Sequence, residues 1–194
     1  MELNKKIFYL IISLQLFVLL SSSYFIRLDD AYIFYKYAKN LAQWNGYVFN
    51  LNEKLNATTS FTYTLLLALF CFPFKSNLEI ALPLIGNIIS IVSLICSAVF
   101  LTKIFYEELK EEKFILFVIL LSMPLIKNAI GMETFLKILL MMVFLYFYQK
   151  EKFILMSLFG AFLFLTRPDT IILIFITSIS YFLRRNKLFN IKII

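Results

Sequence analysis

Two carboxylates stand side by side at Asp29-Asp30, directly after an apolar run, and isolated charged residues follow at Glu133, Arg167 and Asp169. Adjacent carboxylates can share a proton or hold a cation where one cannot. The pair is therefore a candidate general base, and the place where a divalent metal ion would sit. An Asp opening an amphipathic helix also caps the free N–H groups of its first turn, which accounts for one aspartate of the two. Thr166-Arg167-Pro168-Asp169 separates two apolar segments, with Pro168 ending one helix or opening the next. A guanidinium fixed beside a new helix N-terminus suits phosphate oxygens; a capped turn whose Arg reaches toward headgroups is the plainer account. Gly131-Met132-Glu133-Thr134 opens a further apolar segment. Lys137 follows Glu133 by four residues, so an ion pair on one helix face is expected there, beside a role as a second acid.

Those residues need elements to hold them, and the composition says of what kind. The chain has 194 residues, 61% hydrophobic and 16% charged, with a mean hydropathy of +0.85. A water-soluble domain carries about 45–50% apolar and about 25% charged residues, so the excess points to a membrane. The apolar runs are long rather than alternating, which predicts helices and not barrel strands, and an all-α fold. The net charge of +7 sits in short groups between apolar runs, without a basic stripe interleaved with aromatics, so nucleic acid is not an expected partner. Cys71 and Cys96 lie inside apolar segments and the chain has no histidine, which argues against zinc, haem-type ligation and His-based catalysis.

Apolar segments fall at Ile7–Ile26, Thr59–Phe74, Ile80–Tyr106, Phe114–Ile126, Phe135–Tyr148, Phe153–Leu165 and Ile171–Leu183. If all of them crossed, Lys103, Lys110, Lys113, Lys150, Lys152, Arg184, Arg185 and Lys187 would lie outside, against the positive-inside rule. If Thr59–Phe74 stays at the interface, they all move to the cytoplasm beside Lys5 and Lys6. Its polar opening, Thr58-Thr59-Ser60-Phe61-Thr62, and its closing Pro73 suit an interfacial helix. Asp30–Trp44 reads as a second one, with Ile33, Phe34, Tyr37, Ala38 and Leu41 on one side and Lys36, Lys39, Asn40 and Gln43 opposite.

The expectation is a single polytopic bundle over 1–194, with about six transmembrane helices and both termini cytoplasmic. It divides into a first span over 1–27, an external loop with two juxtamembrane helices over 28–78, and the remaining spans over 79–194. In that topology Arg27, Asp29, Asp30, Lys54, Thr59, Ser60, Glu133, Arg167 and Asp169 share the external side of the plasma membrane. Ionisable groups are costly at membrane level, and their convergence on one face marks a candidate site.

The pattern resembles the polytopic glycosyltransferases of the GT-C superfamily, in particular the arabinofuranosyltransferase- and mannosyltransferase-like branch that uses lipid-linked sugars. The residues that carry the resemblance run from Asp29-Asp30-Ala31-Tyr32-Ile33 through Tyr37-Ala38-Lys39-Asn40-Leu41 and Asn45-Gly46-Tyr47-Val48-Phe49-Asn50 to Glu53 and Thr59-Ser60. Gly131-Met132-Glu133-Thr134 and Thr166-Arg167-Pro168-Asp169 follow where that branch has its Gly-x-Glu-Thr and Arg-Pro-acid motifs. The resemblance implies a polyprenyl-phosphate sugar as donor, a glycan, lipid or protein acceptor, and inverting transfer at the external face. It implies Asp29 or Asp30 as the base, Glu133 as a second acid and Arg167 as the phosphate contact; Arg27, Lys54, Thr59, Ser60 and Asp169, gathered on the same face by the topology, are the candidate lining of the substrate site. Two positions depart from the pattern: Asn52 stands where the branch often has Gly, and Asn56-Ala57 where it has an acid followed by Gly. Members of that branch continue with further spans, so the chain is expected to be the N-terminal part of such a membrane module. A catalytically silent subunit and a lipid or sugar transporter are the competing readings; a transporter would want polar groups near mid-membrane and often an internal repeat, and the sequence has none.

Overall fold

The structure, a computed structural model, describes residues 29–53, 58–105 and 129–185. The expectations for Ile7–Ile26, Phe114–Ile126, Arg27, Lys54 and Asn56 lie outside the described residues. Every regular element among the described residues is helical, so the fold class is all-α.

Helix α1, Asp29–Ala42, buries Ala31, Phe34, Tyr35, Ala38 and Ala42 and leaves Lys36 in solvent. That spacing makes the apolar stripe of a helix packed on one side. It stops at Trp44, whose φ of 66° places it in the left-handed region. There the Asn45 N–H bonds the Asn40 carbonyl and the Trp44 N–H that of Leu41, the Schellman pattern that satisfies the last carbonyls of a helix. One expectation is corrected here. Asn40 belongs to the buried side, because the loop after α1 folds back and Asn40 Nδ2 donates to the carbonyls of Val48 and Phe49 at 2.8 and 3.0 Å. Loop carbonyls turned away from water need such a donor.

Helix α2, Phe61–Cys71, runs through a 3-10 segment, Phe72–Asn77, into the long helix α3, Leu78–Ile104. The break falls at Phe74, with φ −106° and ψ 30°, just after Pro73. Together Phe61–Ile104 is a run of 44 residues, long and apolar enough to cross a membrane. Unbroken it would measure about 66 Å, twice the hydrocarbon thickness. Broken at Phe74, α2 reaches only ~16 Å and α3 ~40 Å, so α3 is the arm with the length to cross.

Helix α4, Thr134–Gln149, and helix α5, Phe153–Thr166, form an antiparallel hairpin, and α4 also lies along α3. The buried side of α3 carries Gly86, Ser90, Ser93 and Ser97 at intervals of a helical turn. The hydroxyls of Ser90 and Ser97 are bonded back to carbonyls four residues earlier. Small residues in this register let two helices approach closely where lipid, not water, surrounds them. A short 3-10 turn, Pro168–Thr170, leads into α6, Ile171–Arg185. The outside of the bundle is apolar as well as the inside, with Leu69, Ile80, Ile154, Ile172, Phe175 and Phe182 all more than three-fifths exposed. Helices apolar on both faces are those that neighbours or lipid cover.

Candidate functional site

The site is built outward from one peptide unit. Gly131 has φ +85°, which only glycine adopts freely, and a Cβ there would stand 2.6 Å from Tyr35 Oη and 3.3 Å from Asn87 Oδ1. Tyr63 Oη donates to the Gly131 carbonyl at 2.6 Å and Tyr35 Oη to the same oxygen at 3.2 Å, while the Gly131 N–H donates to Ser90 Oγ at 3.0 Å. Side chains from α1, α2 and α3 thus fix the turn that opens α4. Gly86 completes the junction, since a Cβ there would meet Tyr35 Oη at 2.8 Å.

This turn sets the carboxyl of Glu133, which is 2% exposed. Its Oε1 accepts from Arg167 Nη1 at 2.8 Å; its Oε2 is buried and has no hydrogen-bond partner. Arg167 arrives from the end of α5, where Pro168 disfavours a helical residue before it. Its backbone is extended, with φ −151° and ψ 109°, and the chain leaves the helix there. Arg167 Nε lies 3.4 Å from Asp169 Oδ1, and Lys137 Nζ lies 3.6 Å from Asp169 Oδ2. The result is a chain of alternating charges, Glu133 to Arg167 to Asp169 to Lys137, with Glu133 buried and Asp169 the most exposed. Hydrogen bonding to Glu133 holds the Arg167 guanidinium above its ordinary pKa, against the opposing effect of burial. At Asp169 burial pushes the carboxyl up, but the Arg167 bond and the charges of Lys137 and Arg167 outweigh it and the pKa falls below 3.8.

The expected pairing of Glu133 with Lys137 is therefore corrected. The Glu133 carboxyl turns inward, where a guanidinium from the neighbouring hairpin end reaches it, and Lys137 takes the exposed Asp169. The planar fork of Arg167 bonds the buried carboxyl oxygen at 2.8 Å, whereas Lys137 lies 3.6 Å from the exposed Asp169.

The structure brings Glu133, Arg167 and Asp169 together. Ser60 is fully buried just before α2, and its Oγ too lacks a partner. Its neighbour Thr62 donates to the Phe162 carbonyl at 3.3 Å, the same oxygen that Thr166 Oγ1 bonds at 2.8 Å, so the start of α2 meets the end of α5 beside Arg167. Thr59 is exposed. Asp29 opens α1 and Asp30 is exposed in its first turn, about 7–8 Å along the helix axis from Tyr35. Among the described residues Asp30 joins no ion pair with Arg167, and no group of three acidic, Cys or His side chains gathers to hold a metal. A divalent ion at Asp29-Asp30 would thus find no third acidic, Cys or His ligand among them.

Tyr35, Tyr63 and Ser90 do not stand out in the sequence, where tyrosines read as an interfacial belt. The signal available was a Tyr inside an apolar segment, whose hydroxyl must find a partner when buried. Compared with protein families, with curated proteins and with solved structures, the chain finds no match in any of the three.

Proposed function

We propose that the chain is a membrane module of a polytopic glycosyltransferase, with about six spans, both ends cytoplasmic and its site on the external face. The observation that carries this reading is the Glu133–Arg167 pair: a buried carboxylate with one oxygen on a guanidinium and the other open, held by a turn that three helices fix. Donor and acceptor follow from the sequence resemblance, a polyprenyl-phosphate sugar and a hydroxyl of a glycan, lipid or protein.

In the proposed reaction Asp29 or Asp30 takes the proton of the acceptor hydroxyl as its oxygen bonds the anomeric carbon. The bond from that carbon to the phosphate oxygen breaks with inversion, and the phosphate leaves with the electron pair. Arg167 stabilises the charge growing on it. Glu133 then acts as a positioning residue, because its 2.8 Å bond aims the guanidinium. Membranes bearing the protein, supplied with a labelled polyprenyl-phosphate sugar, are the assay. Asp29→Asn or Asp30→Asn should lower transfer by about 100-fold or more. Undiminished transfer in both variants would refute the base, whereas an inactive wild type would favour the second reading.

That reading is a non-catalytic membrane subunit, and one observation favours it. The charges of Glu133, Arg167, Asp169 and Lys137 cancel within the network, as they would in a clasp joining α4 to the α5–α6 turn.

A further inference from the structure

Helix α4 carries Glu133 at one end and the turn into α5 at the other, about 24 Å away along the axis. The two ends treat their cations differently. Around Glu133 the cations have acidic partners: Arg167 with Glu133 and Asp169, and Lys137 with Asp169. At the far end Lys103, Lys150, Lys152 and Arg184 have no acidic partner among the described residues; Lys103, Lys150 and Arg184 lie instead over the rings of Phe100, Tyr146 and Tyr148. One acid, Glu151, stands among them.

That far end holds a cavity of about 950 Å³ between the α4–α5 turn and the last turn of α6. Lys152, Arg184 and the acid Glu151 line it with Tyr148 and Tyr181, and Phe153 and Ile154, both largely exposed, form its apolar wall. The framework is fixed. The turn closes as a second Schellman pattern with Glu151 at φ 54°, Tyr181 Oη donates to the Glu151 carbonyl at 3.2 Å, and Tyr148 Oη and Ser180 Oγ lie 2.6 Å apart. Arg184 is laid over the Tyr148 ring, 5.7 Å from its centre. Two cations with no acidic partner among the described residues, against the one acid Glu151, with an aromatic floor and an apolar wall at a helix-bundle end, match a phosphodiester joined to acyl chains.

We propose that this cavity binds an anionic phospholipid, its headgroup phosphate held by Lys152 and Arg184 and its acyl chains lying along Phe153 and Ile154. The inference rests on the membrane reading of the helices but not on sugar transfer. The test uses the full chain, purified in detergent and exchanged against phosphatidylglycerol or phosphatidylcholine, with bound lipid counted by native mass spectrometry. Each cation near such a headgroup is worth about fivefold in binding, so a preference for phosphatidylglycerol of roughly fivefold or more is expected. The double variant Lys152→Ala/Arg184→Ala should bring the preference close to one, while Lys36→Ala on α1 should leave it unchanged. Should the double variant not fold, Ile154→Ser is read instead, and should weaken retention of both lipids. Equal retention of the two lipids by wild-type protein, or displacement by free glycerol phosphate as readily as by phosphatidylglycerol, would overturn the proposal. Reconstitution into phosphatidylcholine vesicles separates the two failures: a chain that inserts there but shows no preference loses this site alone, and one that never partitions into bilayers loses the membrane reading with it.

Discussion

Glu133 is the residue whose surroundings most constrain it. Its carboxyl is out of water and holds one bond to protein, so its stability there rests on Arg167. Taking away one member of such a pair leaves a buried charge uncompensated, which costs more than taking away both. Arg167→Ala should therefore destabilise the protein by about 2–4 kcal/mol, discounted from a fully buried pair because Arg167 is partly exposed. Adding Glu133→Gln to Arg167→Ala should recover about 1–2 kcal/mol of that loss. Denaturant unfolding in micelles measures both, and additive losses would show that the two side chains do not lean on each other. Asp169 gives the network its pH dependence. Its folded-state pKa is lowered, so its contribution is present at neutral pH and is lost as the pH falls through that value, below 3.8. More than half of its side chain is exposed, so the change is small.

At the scale of elements, the Gly131 turn is where α1, α2 and α3 meet the start of α4, and its three bonds are unequal. Tyr63 is fully buried and its bond is the shortest of the three, whereas Tyr35 shares the same oxygen at greater length. Tyr63→Phe should cost about 1–3 kcal/mol in thermal unfolding, because the Gly131 carbonyl then keeps only its weaker donor, and Tyr35→Phe should cost less. A reversed order would place the anchor on α1 rather than α2. Helices themselves were legible: apolar runs bounded by lysines and prolines predict Phe135–Tyr148, Phe153–Leu165 and Ile171–Leu183, and α4, α5 and α6 cover those residues with small extensions. The pairing across helices was not. Residues four apart on a helix are neighbours by geometry, which made Lys137 the expected partner of Glu133. Arg167, 34 residues on, takes that place through a hairpin closure that no local rule contains. Asn40 was misplaced for the same reason, because a loop folding back over a helix changes which side is dry.

For the whole molecule the question is which way the bundle faces, and the distribution of charge offers a physical argument. The α4–α5 turn and the end of α6 gather Lys150, Lys152 and Arg184 against the single acid Glu151, while the Glu133 end is balanced internally. On the proposed membrane reading, lysines and arginines in short loops favour the cytoplasmic side, which would keep the basic end in the cytoplasm and turn the Glu133 end outward. The loop after α1 belongs with the outward end, because Tyr35 reaches the Gly131 turn. A membrane-impermeant thiol reagent added to intact cells tests this on two exposed loop positions, in a background with Cys71 and Cys96 replaced by Ala. Asn50→Cys should label in intact cells and Glu151→Cys only after permeabilisation. The opposite result would turn the bundle over and put the Glu133–Arg167 pair on the cytoplasmic side, within reach of nucleotide-activated sugars rather than external lipid-linked ones. Labelling of both positions in intact cells would mean that the chain crosses an even number of times between them, so that one of the spans placed there, α4 among them, does not cross. Lengths of about 24 and 21 Å leave that outcome open to measurement, for each helix is shorter than the ~30 Å of hydrocarbon it must cover, and only local thinning of the bilayer or residues reaching from its ends would let it cross.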